Sequence, residues 1–466
     1  MSVLIKGGRI ITASDDYVAD IYIEDEVVSA VGSDLDVTAD AVVDASGKYV
    51  LPGMVDPHTH MEMPFGGTVT CDDFTSGTTS AVFGGTTAIV DFCMQQSGQT
   101  LPEALETWHE RLRRAPAVGD VGFHLAVTNL DYPGALDDLA AMPEQGVTSY
   151  KFFMAYKGTI MVEDETLFKA MQVVARSGSL AMVHAENGDV VDVLVKEALA
   201  EGKTEPKWHA ATRPPTVEGE ATSRAIQLAH LAGCPLYVVH VSCREAIDPI
   251  GAARRQEWLT WGETCPQYLF LDSGALDQPN FEGAKYVYTP PSRTKADQEA
   301  LWRALSTDVL SVVSTDHCPF NWDGQKSLGA DDFSKIPNGG PGIEDRLHLI
   351  HDRGVRAGRI SLNRMVELLS TNPARLFGLY PRKGTIAAGS DGDIVIFDPE
   401  RPHRISASTH HSRVDYSLFE GEEVVGTPEV VLVRGRIVVS GGELRVEPGH
   451  GRFVHRGVPA VSLAPA

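Results

Sequence analysis

The chain has 466 residues, of which 43% are hydrophobic and 22% charged, and a formal net charge of −23. That length and composition fit a soluble globular protein with more than one domain, and the acidity argues against a nucleic-acid backbone as partner. There is no run of about 18 apolar residues, which argues against a transmembrane helix and a membrane partner. The apolar stretch after Met1 is too short for a signal peptide, and six cysteines without CxxC spacing suggest neither a disulfide framework nor a thiolate zinc site. A reduced, cytoplasmic location is the expectation.

Residues 1–50 read as short strands. Val3–Ile5, Arg9–Ile11, Asp20–Glu24, Val27–Val31 and Ala41–Asp44 alternate or are β-branched, with Gly and Asp turns between them. A mostly apolar run, Tyr49–Val55, then leads into Asp56-Pro57-His58-Thr59-His60. On a strand, residues i and i+2 share a face, so His58 and His60 aim two imidazoles at one point, as a metal site requires. A bare His-x-His is a weak pattern and by itself reads more readily as a pair of surface or core-edge histidines.

Seven further apolar runs follow: Thr86–Phe92, Val121–Val127, Ser149–Met154, Leu180–His184, Leu236–His240, Leu259–Glu263 and Leu310–Asp316. Helix-like stretches lie between them, among them Leu101–Leu112, Asp164–Val174, Glu218–Leu231 and Lys295–Leu305. Strands apolar along their length are buried on both faces and so parallel. Eight β-then-α units predict a TIM-type (β/α)8 barrel, with functional groups at the C-terminal strand ends. A loop, Pro337–Gly342, two helices around 343–356 and 361–370, and strands Gly392–Phe397, Glu429–Val433 and Arg436–Val439 complete the pattern. The fold class is therefore α/β: a catalytic barrel over residues 53–383 and a smaller β-sandwich domain built from both chain termini, residues 1–52 and 384–445. The tail, 446–466, is expected to be loose or an arm at a subunit interface.

The strand ends are polar: His58 and His60, Lys151, His184, His240 and Asp316. Any one buried histidine is as easily a satisfied core residue. Four histidines and an aspartate at one end of a parallel barrel offer ligands suited to zinc and similar divalent ions. An ammonium at Lys151 does not suit a dication. Either it pairs with an acid, or its pKa falls and the neutral amine takes up CO2 as a carbamate, an anionic oxygen ligand.

Gly53–His60, Ser149–Lys157, His184-Ala-Glu186, His240-Val-Ser242 and Thr315–Phe320 resemble the amidohydrolase superfamily, and within it the dihydropyrimidinase and D-hydantoinase branch. Cys71–Thr78, Gly84–Phe92, Thr371–Gly378 and Lys383–Asp393 extend the resemblance over nearly the whole chain. It implies a hydrolase with two divalent metals per subunit (zinc, or manganese or cobalt). Such an enzyme opens the cyclic amide of dihydropyrimidines or 5-substituted hydantoins to N-carbamoyl amino acids. By the resemblance, one metal would be held by His58, His60, Asp316 and Lys151 as N6-carboxylysine, and the second by the same carbamate with His184 and His240. Asp316 would move the proton of a bridging hydroxide, and Tyr156 would meet the developing oxyanion.

Thr289 and Asn338 would read the imide edge of the ring through backbone groups, although the relatives more often carry Ser at the first position. Phe65 and Phe153, with Ile160, are candidates for the pocket of the exocyclic substituent, or else core. Asp56 either orients a ligating histidine or caps a turn. His317, Cys318, Glu186 and Glu263 read as structural. An allantoinase- or dihydroorotase-like cyclic amidohydrolase is the alternative enzyme and would want a polar or cationic pocket. A non-enzymatic collapsin-response-like scaffold is disfavoured because every ligand position is filled. A homotetramer or homodimer acting on a small cyclic ureide or imide is implied.

Overall fold

The computed structural model describes residues 2–460. The chain opens with five strands of one sheet: β1 (Ser2–Ile11), β2 (Asp16–Glu24), β3 (Val27–Gly32), β4 (Ala41–Asp44) and β5 (Tyr49–Pro52). Next come the first barrel strand, β6 (Met54–Thr59), and a hairpin of β7 (Pro64–Phe65) and β8 (Thr68–Val69). The remaining barrel strands are β9 (Thr86–Met94), β10 (Asp120–Ala126), β11 (Ser149–Phe153), β12 (Leu180–His184), β13 (Leu236–Val238), β14 (Thr260–Thr264) and β15 (Val312–Val313). The chain returns to the first sheet with β16 (Ile394–Arg404), β17 (Glu423–Val433), β18 (Arg436–Ser440) and β19 (Glu443–Leu444).

The barrel sheet runs β15-β14-β13-β12-β11-β10-β9-β6. A parallel bridge between Thr59 and His317, with His60 N donating to His317 O at 2.9 Å, joins its first and last strands. Every residue of β9, β10, β11 and β12 is buried, as strands covered by helices on one side and barrel core on the other must be. The helices occupy the expected places, at Leu101–Arg114, Asp164–Arg176, Pro215–Ala232 and Lys295–Ser306. Capping boxes at Thr100/Glu103 and Thr294/Asp297 satisfy the first free amides of two of them. The two later helices begin as α-turns at Arg346–Ile350 and Leu362–Val366 and widen into π-turns, His351–Arg356 and Glu367–Thr371.

The other sheet has nine strands, in order β19-β18-β17-β16-β5-β1-β2-β3 with β4 on β1. The two halves of the chain meet where β5 pairs antiparallel with β16, from Pro52↔Ile394 to Tyr49↔Phe397. This sheet has a core of its own, with Val3, Ile5, Ile21, Ile23, Val50, Ile394, Ile396 and Leu432 inside it.

Three local expectations are corrected. The run Tyr49–Val55 is not one strand: Tyr49–Pro52 belongs to the terminal sheet and Met54–Thr59 to the barrel. The crossing point is Gly53, where a Cβ would stand 2.1 Å from Thr87 Oγ1, so only glycine fits. The ladders of β13 and β15 stop at Val238 and Val313, short of the residues that matter. Residues 446–460 do not hang free. Phe453 bridges to Val121, and the buried Arg456 donates to Phe123 O, to Ser149 Oγ at 2.9 Å and to Phe377 O at 3.2 Å. Residues 461–466 of that tail lie outside the described residues.

Candidate active site

The ligand candidates collect at the C-terminal mouth of the barrel. Lys151 projects from β11 and is buried to 1% exposure. Among the described residues its hydrogen-bond partner is His58 Nε2 at 3.0 Å, not an acid. Its Nζ lies over the rings of Phe92 and Phe153, 4.4 and 5.1 Å from their centroids. Burial pulls its pKa down to about 8.

Asp316 Oδ1 lies 3.0 Å from His58 Nε2 and 3.1 Å from His60 Nε2. Across the cluster, His184 Nδ1 and His240 Nε2 face each other at 2.9 Å. The rings of His58 and His240 are 5.4 Å apart, so both groups form one constellation. Burial holds His60 down to about 4 and pushes His184 and His240 below the ordinary histidine value, which keeps their nitrogens as lone-pair donors.

The far sides of two rings are fixed by carboxylates. His58 Nδ1 meets Glu263 Oε1, while Tyr237 Oη donates to Glu263 Oε2 at 2.8 Å. His184 Nε2 meets Glu186 Oε2 at 2.9 Å. Each carboxylate takes the ring N–H and turns the opposite lone pair inward. Glu186 and Glu263, read from sequence as structural, therefore set the tautomers at the cluster. For Glu186 the signal was available, since His184-Ala-Glu186 sets a carboxylate two residues past a candidate ligand, just beyond the end of β12. Glu263 is the penultimate residue of β14, a strand end to which no role was assigned from sequence.

This donor set fits divalent metal ions. The inward nitrogens of His58 and His184 lie within about 3 Å of Asp316, Lys151 and His240, close enough for shared ligation. His60 Nδ1 and His240 Nδ1 are also buried without partners. His58, His60 and Asp316 alone place three ligand atoms within 4.8 Å of one another.

Three residues of the constellation hold left-handed backbone conformations that side chains seldom adopt: Tyr156 (φ 66°), His240 (φ 39°) and Asp316 (φ 52°). Such strain concentrates at sites where geometry is imposed.

Above the cluster, Phe65, Phe153, Tyr156, Ile160, Thr289 and Asn338 line one pocket with His60, Lys151, His184, His240 and Asp316. The Phe65 ring, on the β7–β8 hairpin, meets Tyr156 edge-on at 5.2 Å, and Phe153 lies 6.1 Å from Tyr156. Burial pushes the Tyr156 phenol up to about 12, partly offset by Arg213 and by hydrogen bonding with Thr289 and Asn338. Met63 and Met94 also line the pocket and were not picked out from sequence. Cys318, read as flanking structure, lines it too, with Sγ 3.7 Å from Asn338 O. Asp56 does not touch a ligand ring. It accepts from Thr315 Oγ1 and from His58 N at 3.2 Å, bracing the first strand against the last. His317 pairs with Asp72 at 3.0 Å, away from the pocket.

A family model described as "Amidohydrolase family" matches residues 49–438. The chain belongs to the amidohydrolase family. Within it, the chain is 52% identical to a D-hydantoinase of Geobacillus stearothermophilus, over 98% of this chain and 97% of the relative. It is 43% identical to a dihydropyrimidinase of Rattus norvegicus, over 97% and 88%. The crystal structure of dihydropyrimidinase from Brevibacillus agri NCHU1002 superposes with a TM-score of 0.97 at 54% identity, covering 99% of this chain and 100% of that one. No helix among the described residues is long and apolar enough to cross a membrane.

Proposed function

We propose that the chain is a cyclic amidohydrolase that opens dihydropyrimidines or 5-substituted hydantoins to N-carbamoyl amino acids. The observation that carries the reading is Asp316 within about 3 Å of two histidines, beside a buried lysine whose recorded hydrogen-bond partner is a histidine, in one pocket. Relatives named D-hydantoinase and dihydropyrimidinase over nearly the full chain support it.

His58, His60, Asp316 and Lys151, the last as its CO2 adduct N6-carboxylysine, would hold one divalent ion. The same carbamate with His184 and His240 would hold the second, zinc being the first choice and manganese or cobalt alternatives. When bound, such ions polarise an amide carbonyl and lower the pKa of a water.

The chain's own groups do the rest. The Asp316 carboxylate takes the proton of the attacking water and returns it to the leaving ring nitrogen, first as base and then as acid. The phenol of Tyr156 keeps its proton at neutral pH, with its pKa near 12, and donates it as a hydrogen bond to the developing oxyanion. Thr289 and Asn338 hold the imide edge through backbone groups. Phe65 and Phe153 take the exocyclic substituent and, with Met63 and Met94, keep water from that side.

Allantoinase and dihydroorotase chemistry is the second reading. Apart from Lys151, no lysine or arginine is among the described residues that line the pocket, which favours an apolar substituent over an anionic one. A cytoplasmic homotetramer or homodimer completes the proposal. The test is turnover of dihydrouracil, 5-phenylhydantoin (D and L), allantoin and dihydroorotate by protein loaded with zinc, manganese or cobalt. Hydrolysis of either of the first two is expected. Preference for the last two, or no turnover at all, overturns the reading, and the second outcome would favour a scaffold.

A further inference from the structure

Lys326 sits in a short turn, Lys326–Gly329, and is completely buried. Its ammonium reaches three backbone carbonyls, Val287 O, Pro337 O and Gly339 O, each at 2.7 Å. An ammonium has three donors and no acceptor, so the three carbonyls saturate it. All three recorded partners are neutral backbone atoms, not carboxylates. A buried cation without a counter-charge is expensive, and burial accordingly pulls this one down to about 7. Space filling alone would be met more cheaply by methionine.

The position of the three carbonyls supplies the reason. Val287 lies two residues before Thr289, and Pro337 and Gly339 flank Asn338. The two segments are joined directly, Gly339 N donating to Val287 O at 3.1 Å. A Cβ at Gly339 would stand 2.3 Å from Cys318 O, so the second segment is also pressed against the chain that carries Asp316. Thr289 and Asn338 converge on the same phenol, Tyr156. Finally, Pro337 O belongs to the peptide unit that ends in Asn338 N–H. A cation at that oxygen polarises the unit and strengthens the N–H as a donor.

We propose that Lys326 is a positioning residue for ring recognition: it clamps the Val287–Thr289 and Pro337–Gly339 segments together and sharpens the Asn338 amide. This role rests on the cyclic-amide reading above, so wild-type turnover of a hydantoin or dihydropyrimidine is the first control. Its absence would remove that reading and this role with it.

Lys326→Met keeps the stem and removes the charge. With the holoenzyme, KM for 5-phenylhydantoin is expected to rise at least 10-fold, with kcat within about 3-fold and metal content and melting temperature close to wild type. Lys326→Gln, which retains donors for two carbonyls, is expected to fall between. A wild-type KM in Lys326→Met, or activity that falls only in step with metal content, overturns the role. If Lys326→Met does not fold, Lys326→Gln is judged by the same criteria. Failure of both to fold assigns Lys326 to the framework and also overturns it.

Discussion

Glu186 Oε2 takes the Nε2–H of His184 at 2.9 Å, and Arg213 Nη1 stands 3.4 Å from the same oxygen. The carboxylate is held ionised: burial opposes its charge, but Arg213 and His184 outweigh that and bring its pKa down to about 2. It thus fixes one tautomer of His184 at any working pH. Glu186→Ala is expected to weaken metal binding about 10- to 100-fold. Competition with a chelating dye measures the affinity, and excess zinc should restore much of the activity.

Lys151→Ala removes the proposed carbamate. Activity is expected to fall to background with loss of bound metal, and short carboxylic acids such as acetate or propionate should restore part of it. Turnover with and without the acids, with elemental analysis of the metal, checks both. Full activity in the variant would remove Lys151 from the site.

Tyr156→Phe keeps the ring packed against Phe65 and deletes one hydroxyl. If that hydroxyl meets the oxyanion, kcat should drop about 10²–10³-fold with KM little changed. A rise in KM alone would assign the hydroxyl to ground-state binding instead.

A pH effect on stability is expected at a histidine that does not line the pocket. His410 Nε2 lies 2.9 Å from Asp345 Oδ1. Burial opposes the ring's charge, but Asp345 overrides it and, with Glu344 and Glu420, lifts the pKa from 6.5 to about 9. A pKa raised on folding contributes stability that is complete below the unfolded value and lost as pH rises through the folded one. Melting temperature should therefore decline between about pH 6.5 and 9, and His410→Gln should flatten that slope, mainly by lowering stability at the acid end. Calorimetry across this range is the measurement.

The barrel was legible because buried parallel strands stand out as apolar runs, and because functional groups cluster at their C-terminal ends. Nothing in composition marks Gly53 as the crossing between two sheets, since residues on both sides are apolar. Its need for glycine comes from Thr87, a tertiary neighbour. The early ends of β13 and β15, and the positive φ at His240 and Asp316 beyond them, are not announced by local sequence. Glu263 is 205 residues from its partner His58, so no spacing rule reaches it, whereas the Glu186 spacing was readable. Lys326 lies in a polar, Gly-containing stretch that reads as exposed loop. Only the fold turns it inward onto three carbonyls.

The β5–β16 seam also sets a timetable for synthesis. Tyr49 leaves the ribosome about 350 residues before Phe397, its ladder partner. At about 5–20 residues per second, that is a wait of tens of seconds. Throughout it, β1, β2, β3 and β5 can pair among themselves, but the outer edge of β5 stays open, and an open apolar edge is a template for other nascent chains. The barrel must be completed while that edge waits. Slowed translation or a chain truncated near residue 383 should therefore reach the aggregate fraction before the soluble one.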